Sequence, residues 1–199
     1  MSTLVAGVGN IFLGDDGFGV EVARRLAGED LPPSVRVADF GIRGVHLAYE
    51  LLDGYETVIL VDATPRGELP GTVSVIEPEV QPAGRDDSAL LNAHGMEPDA
   101  VLALLDVLGG RVDRMLIVGC EPASVDEGIG LSAPVQAAVP AALNVVRELI
   151  AETQQEDGDA GSRGIGSGAA GRGDDGGPID RAGPGPLLQD PQDVGTPGA

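Results

Sequence analysis

Short apolar runs alternating with longer stretches of helical periodicity constrain this chain more than any other feature. Thr3–Val8, Val35–Ala38, Thr57–Val61, Thr72–Ile76 and Met115–Val118 read as strands, and Phe18–Leu26, Val45–Leu52, Glu97–Leu108 and Pro134–Ala151 as helices. Strands separated by helices need crossover connections, which place them side by side and parallel with helices on both faces. The third run is apolar through Val58-Ile59-Leu60-Val61, as a strand covered on both sides should be. The fourth alternates, which suits a more exposed strand. The expected fold is α/β, a three-layer sandwich with a mostly parallel central sheet flanked by helices.

Composition sets the limits of that fold. After Gln154 come 13 glycines and 5 prolines against only Ile165, Ile179, Leu187, Leu188 and Val194 as aliphatic bulk. So few apolar side chains cannot offset an ordering cost of roughly 1–2 kcal/mol per residue. The expected organisation is therefore an α/β domain over 1–154 and a disordered Gly/Pro/Asp-rich tail over 155–199. Aromatics are 3% and Trp is absent, so Val, Leu, Ile and Ala must build the core. The formal charge of −20 argues against nucleic acid and anionic membrane surfaces as partners. All basic residues are Arg, which excludes a phosphate-binding loop ending in Gly-Lys-Ser/Thr and any lysine base. The single cysteine, Cys120, permits neither an internal disulfide nor a multi-thiolate zinc site. With no basic leader and no apolar run of the ~18 residues that a membrane span needs, the chain is expected to be a soluble, cytoplasmic monomer.

In sheets of this kind ligands bind outside the carboxyl ends of the strands, so residues that directly follow strands are the first candidates for function. Asp16 lies in the loop after the first strand, Gly9-Asn10-Ile11-Phe12-Leu13-Gly14-Asp15-Asp16-Gly17. Asp62 closes the third strand, and His94 sits in Asn92-Ala93-His94-Gly95-Met96 before a helix. Each has an ordinary alternative. Asp15 or Asp16 could cap the helix that follows, Asp62 could be a polar strand end, and His94 a solvated loop residue. Together they supply two oxygen ligands and one imidazole, a set suited to a borderline divalent ion with open coordination positions. No His-Glu-x-x-His is present, so such a site must be assembled from separate loops.

Three further features have less to offer. Gly7-Val8-Gly9 follows a strand, but the third glycine of a dinucleotide fingerprint would fall at Phe12, and Asp15 and Asp16 would repel a pyrophosphate, so no nucleotide is expected. Cys120, next to Glu121, reads as a small loop residue rather than a nucleophile. His46 reads as ordinary helix surface. Asp39-Phe40-Gly41-Ile42-Arg43-Gly44 is a second Gly-rich turn at a strand end, which could line the cleft.

Gly7-Val8-Gly9-Asn10-Ile11-Phe12-Leu13-Gly14-Asp15-Asp16-Gly17-Phe18-Gly19-Val20 resembles the N-terminal signature of the hydrogenase maturation proteases. The likeness continues through Asp39-Phe40-Gly41, Ile59-Leu60-Val61-Asp62-Ala63-Thr64, Pro70-Gly71-Thr72, His94-Gly95-Met96, Gly119-Cys120-Glu121-Pro122 and Gly130-Leu131-Ser132. It covers about residues 3–150 and leaves out the tail. The resemblance implies a metal-binding and catalytic triad of Asp16, Asp62 and His94. It further implies an endopeptidase that trims the C-terminal extension of a [NiFe]-hydrogenase large-subunit precursor and recognises nickel supplied by that precursor. A non-catalytic, nickel-sensing chaperone of hydrogenase assembly is the alternative. Phe40-Gly41, where some relatives carry Gly-Gly, departs from the pattern.

Overall fold

The computed structural model describes residues 2–78 and 98–162. The elements are β1 (Thr3–Val8), α1 (Phe18–Leu26), β2 (Val35–Gly41), α2 (Gly44–Leu51), β3 (Thr57–Ala63), β4 (Val73–Ile76), α3 (Pro98–Val107), β5 (Arg114–Cys120) and α4 (Ala133–Ser162), with a 3-10 turn at Gly14–Gly17. Five strands form one sheet in the order β2-β1-β3-β5-β4. All neighbours pair in parallel except β4, which runs antiparallel to β5 at the edge. The mostly parallel three-layer fold expected from the sequence is thus the one observed.

The period-2 alternation of the strands divides the core between the two faces. Val5 of β1, Ile59 and Val61 of β3, and Leu116 and Val118 of β5 pack with Phe18, Val22 and Leu26 of α1 and with Val135, Val139, Ala142 and Val146 of α4. Leu4, Ala6 and Val8, Val58 and Leu60, and Met115 point the other way and pack with Leu47, Ala48 and Leu51 of α2 and Val101 and Leu105 of α3. Each fully buried Val or Leu contributes about 1.5–3 kcal/mol relative to leaving it in water. β3 lies at the centre and is buried from Thr57 to Val61, which its unbroken apolar run requires. β4 is only partly buried, in keeping with its alternating sequence.

The element ends differ from the sequence expectation. β2, β3 and β5 run on to Gly41, Ala63 and Cys120, because ladder pairing continues past the point where the apolar pattern stops. Asp62 therefore lies inside β3, in register with Gly119 of β5, rather than after the strand. α4 starts where expected but continues past Ala151 to Ser162. Glu152, Gln154 and Gln155 are good helix formers, and no stop signal occurs before Gly158. Near the compositional break, α4 is still fastened to the body: Thr153 Oγ1 lies 3.4 Å from Thr3 Oγ1, and Ser34 Oγ donates to Gln154 Oε1 at 3.0 Å. His94 and the chain from 163 onward lie outside the described residues.

Strand order locates the crevice. From β1 the chain turns to one side to form β2, then crosses to the other side to form β3. Loops leaving the carboxyl ends of β1 and β3 diverge at that switch point, which leaves a cleft between them.

Candidate functional site

The loop after β1 is built around a compact set of local bonds. Asn10 Oδ1 accepts from the Phe12 amide at 3.0 Å, and Leu13 N and Asp16 N donate to the carbonyls of Asn10 and Leu13. Asp16 Oδ2 accepts from the Asn10 amide at 2.6 Å, so the carboxylate is aimed back across its own loop. Gly9 makes this closure possible. Its φ is 119°, and a Cβ there would collide with the Asp16 carbonyl. The glycine that suggested a dinucleotide turn is thus used to fold the loop onto itself. Neither aspartate caps α1: the residue before that helix is Gly17, and no side chain bonds to its first turn.

Asp16 and Asp62 lie on the two elements that flank the switch point, near enough for the charge of Asp16 to be felt at Asp62. Both are half-buried. Asp62 Oδ1 accepts from the Ala63 amide at 2.8 Å, but this single bond is outweighed. Burial, and then the negative charge of Asp16, push the Asp62 carboxyl up to about 7 from an ordinary value of 3.8. A buried carboxyl raised in this way, with a second carboxylate nearby, favours either a retained proton or a bound cation. Asp39 from the end of β2 is engaged elsewhere, since Arg24 Nε donates to its Oδ2 at 3.2 Å. The second Gly-rich turn nevertheless abuts the first, because Gly9 N donates to the Gly41 carbonyl at 3.0 Å.

Two carboxylates have roles that nothing in the sequence pattern indicates. Asp15 is buried, with 1% exposure, and accepts four hydrogen bonds. They come from Ala123 N (2.8 Å), Ser124 N (3.2 Å), Ser132 N (2.6 Å) and Ser132 Oγ (2.9 Å). Burial raises its pKa, but the bonds from Ser132, Ala123 and Ser124 prevail and hold it below the usual carboxylate range. Glu121 fastens the loop after β3 by accepting from Arg66 N at 2.6 Å and Gly67 N at 3.3 Å. The Arg66 amide, foremost, holds its carboxyl below the ordinary value. Cys120 is buried, and burial together with Asp15 and Glu121 pushes its thiol up to about 11, which matches the expectation that it is no nucleophile. His46 is exposed on α2, as expected of a surface histidine.

Among the described residues, no group of three or more His, Cys, Asp or Glu side chains is arranged to hold a metal. Of the three expected ligands, Asp16 lies in the turn after β1 and Asp62 in β3, where the charge of Asp16 is felt. His94 lies outside the described residues.

Comparison with known proteins gives this pair a context. A family model described as hydrogenase maturation protease matches residues 20–149. The chain belongs to the hydrogenase maturation protease family. The match includes Asp62 and the position of His94 but begins after Asp16. Among relatives, the chain is 31% identical over 142 residues to the hydrogenase expression/formation protein HupD of Rhizobium leguminosarum, covering 70% of this chain and 69% of that protein. Among solved structures, the hydrogenase maturating endopeptidase HybD of Escherichia coli superposes with a TM-score of 0.63 at 29% identity, over 77% of this chain and 94% of that one. The hydrogenase 2 maturation peptidase of a Thaumarchaeota archaeon gives 0.59 at 34% identity, over 76% and 99%. The family is one of endopeptidases, so the site at the switch point is the candidate for peptide-bond hydrolysis. Within the described residues no helix is long and apolar enough to cross a membrane.

Proposed function

We propose that this chain removes the C-terminal extension of a nickel-loaded [NiFe]-hydrogenase large-subunit precursor, with Asp16, Asp62 and His94 recognising the nickel that the precursor brings. The observation that supports this reading is the Asp62 carboxyl at the sheet's switch point, raised by burial and by the negative charge of Asp16 nearby. A divalent ion carried by the substrate relieves that repulsion and is attracted by it. His94, placed in the set by its His94-Gly95-Met96 motif, adds an imidazole of the kind nickel accepts.

Seating the precursor's nickel on these side chains fixes the scissile bond beside them, and positioning of this kind lowers a barrier by several kcal/mol. In the hydrolysis, water oxygen bonds to the carbonyl carbon, the carbon–nitrogen bond breaks, and the leaving amine takes a proton. A precursor without nickel lacks the group that the carboxylates engage, so cutting is reserved for loaded substrate. The nickel belongs to the substrate, and no nucleotide is required. We further propose that the enzyme acts as a cytoplasmic monomer.

Incubating the purified full-length protein with nickel-loaded and nickel-free precursor tests this. The large subunit should shorten only when loaded, and Asp62→Ala and His94→Ala should both stop the cut. Tight binding of loaded precursor without shortening would make the protein a nickel-sensing chaperone instead.

A further inference from the structure

The segment 123–130, between β5 and α4, has exposed side chains throughout and no apolar packing of its own. Exposed loops of this kind usually fray, yet this one is held by a dense set of backbone bonds to the loop after β1. Gly14 N donates to the Gly128 carbonyl at 3.0 Å, Gly128 N to Phe12 O at 2.9 Å, and Asp15 N to Ser124 O at 3.1 Å. At the centre of these bonds is the Asp15 carboxylate, with four donors from Ala123, Ser124 and Ser132 and almost no contact with water. Charge-assisted bonds of this type are roughly twice as strong as neutral ones. They gather the two ends of the loop onto one side chain, directly next to Asp16.

The fastened loop presents a lip of large apolar side chains to water: Phe12 at 62% exposure, Val125 at 50% and Ile129 at 84%. Behind it lies a cleft of about 220 Å³ lined by Ile11, Val20, Ile129 and Leu131, with Glu21, Arg24 and Gln136 as its polar side chains. Gly14 and Gly17, which bracket Asp15 and Asp16 in the turn after β1, both line the cleft, so it opens beside the turn that carries Asp16.

We propose that Asp15 is a positioning residue for the cleavage reaction, clamping the 123–132 loop so that Phe12, Val125 and Ile129 form a rigid apolar lip on which the precursor's C-terminal segment is seated. The proposal rests on the function given above. Asp15 does not touch the substrate. It acts by holding, before the precursor arrives, a surface that would otherwise have to be ordered on binding.

The test is cleavage of nickel-loaded precursor over a range of concentrations, giving KM and kcat separately, with the full-length protein. Asp15→Asn keeps the shape of the side chain. Whichever way the amide sits, however, its NH2 group faces at least one of the donors that meet the carboxylate. Loss of these bonds should raise KM about ten-fold while changing kcat far less. Ser132→Ala removes only the hydroxyl donor and should raise KM by about three-fold. Ile129→Ser, at an exposed position, should raise KM with the melting temperature unchanged. An unaltered KM in folded Asp15→Asn, or a loss confined to kcat, overturns the proposal. If Asp15→Asn does not fold, unaltered KM values in both Ser132→Ala and Ile129→Ser overturn it. Should the wild-type protein cut no precursor at all, the functional reading fails. The clamp is then judged by amide hydrogen exchange at Ala123, Ser124 and Ser132: faster exchange in Ser132→Ala supports it, and wild-type protection refutes it.

Discussion

Asp15, in the turn after β1, and Asp62, near the end of β3, carry the same side chain, and their surroundings push them in opposite directions. Asp15 is the more deeply buried, yet four donors converge on it and its charge is held below the usual carboxylate range. Asp62 accepts from the Ala63 amide, but burial first and the charge of Asp16 second raise its carboxyl to about 7. Burial raises both carboxyls, and the number of donors decides whether that rise is overcome, as at Asp15, or stands, as at Asp62, where Asp16 adds to it. A satisfied carboxylate holds the architecture together, whereas a frustrated one is available for a cation or a proton.

The largest expected effect separates these two roles at the level of activity. Asp62→Ala and Asp16→Ala should each lower precursor cleavage by a factor on the order of 100 or more, read as single-turnover rates, because each removes half of the pair proposed to engage the substrate. Asp15→Ala should show the opposite balance, with its main loss in stability. Deleting the acceptor leaves buried donors without partners, at about 1–3 kcal/mol each where water cannot reach them. Urea unfolding at neutral pH should therefore give a loss of several kcal/mol, and a loss below ~1 kcal/mol would show that water replaces the carboxylate.

Stability against pH sharpens the contrast. The Asp62 pKa is raised on folding, so the native state binds its proton more tightly than the unfolded chain does. Its contribution is fully present below the ordinary carboxylate range, is lost as pH rises to about 7, and is constant above. For Asp15 the shift has the other sign, so its contribution is present at neutral pH and lost in acid. Asp62→Asn cannot titrate, and at pH 8 it should be more stable than wild type by on the order of 1–3 kcal/mol, with little difference at pH 4. A parallel pair of stability curves for the two proteins would contradict the proposed repulsion.

How much of this could be read in the sequence follows from the range of the interactions. The strands were legible because each pairs an apolar run with a partner of like composition, and the two faces of β1 and β3 follow from simple alternation. Their ends were not, because hydrogen-bond pairing carries β3 through Asp62 and Ala63 after the apolar signal has stopped. The end of α4 was missed because the composition shift near Gln154 is not a helix stop: the Gln154 side chain still accepts from Ser34, and the helix runs on to Ser162. Asp16 and Asp62 were legible as residues at strand ends. Asp15 was not, because its partners lie more than 100 residues away and nothing in its local pattern distinguishes it from a helix cap. Glu121 likewise binds a loop 55 residues earlier.

The smallest expected effect concerns the third ionisable group at these strand ends. Cys120 stands in register with Ala63, one residue beyond Asp62, and is close enough to the site to invite a catalytic role. Its surroundings argue otherwise. The side chain is fully buried, burial is the main cause that raises its thiol to about 11, and the carboxylates of Asp15 and Glu121 add to the rise. A thiol with that pKa is protonated at neutral pH, and a buried one cannot reach a peptide carbonyl. Cys120→Ala should therefore leave kcat and KM for precursor cleavage at wild-type values, while the lost sulfur volume lowers stability by about 1 kcal/mol. Alkylation should tell the same story, with iodoacetamide reacting only after the protein is unfolded. Rapid labelling of the native enzyme together with loss of cleavage would place the thiol at the reacting centre and turn the contrast between Asp15 and Asp62 into a three-way one.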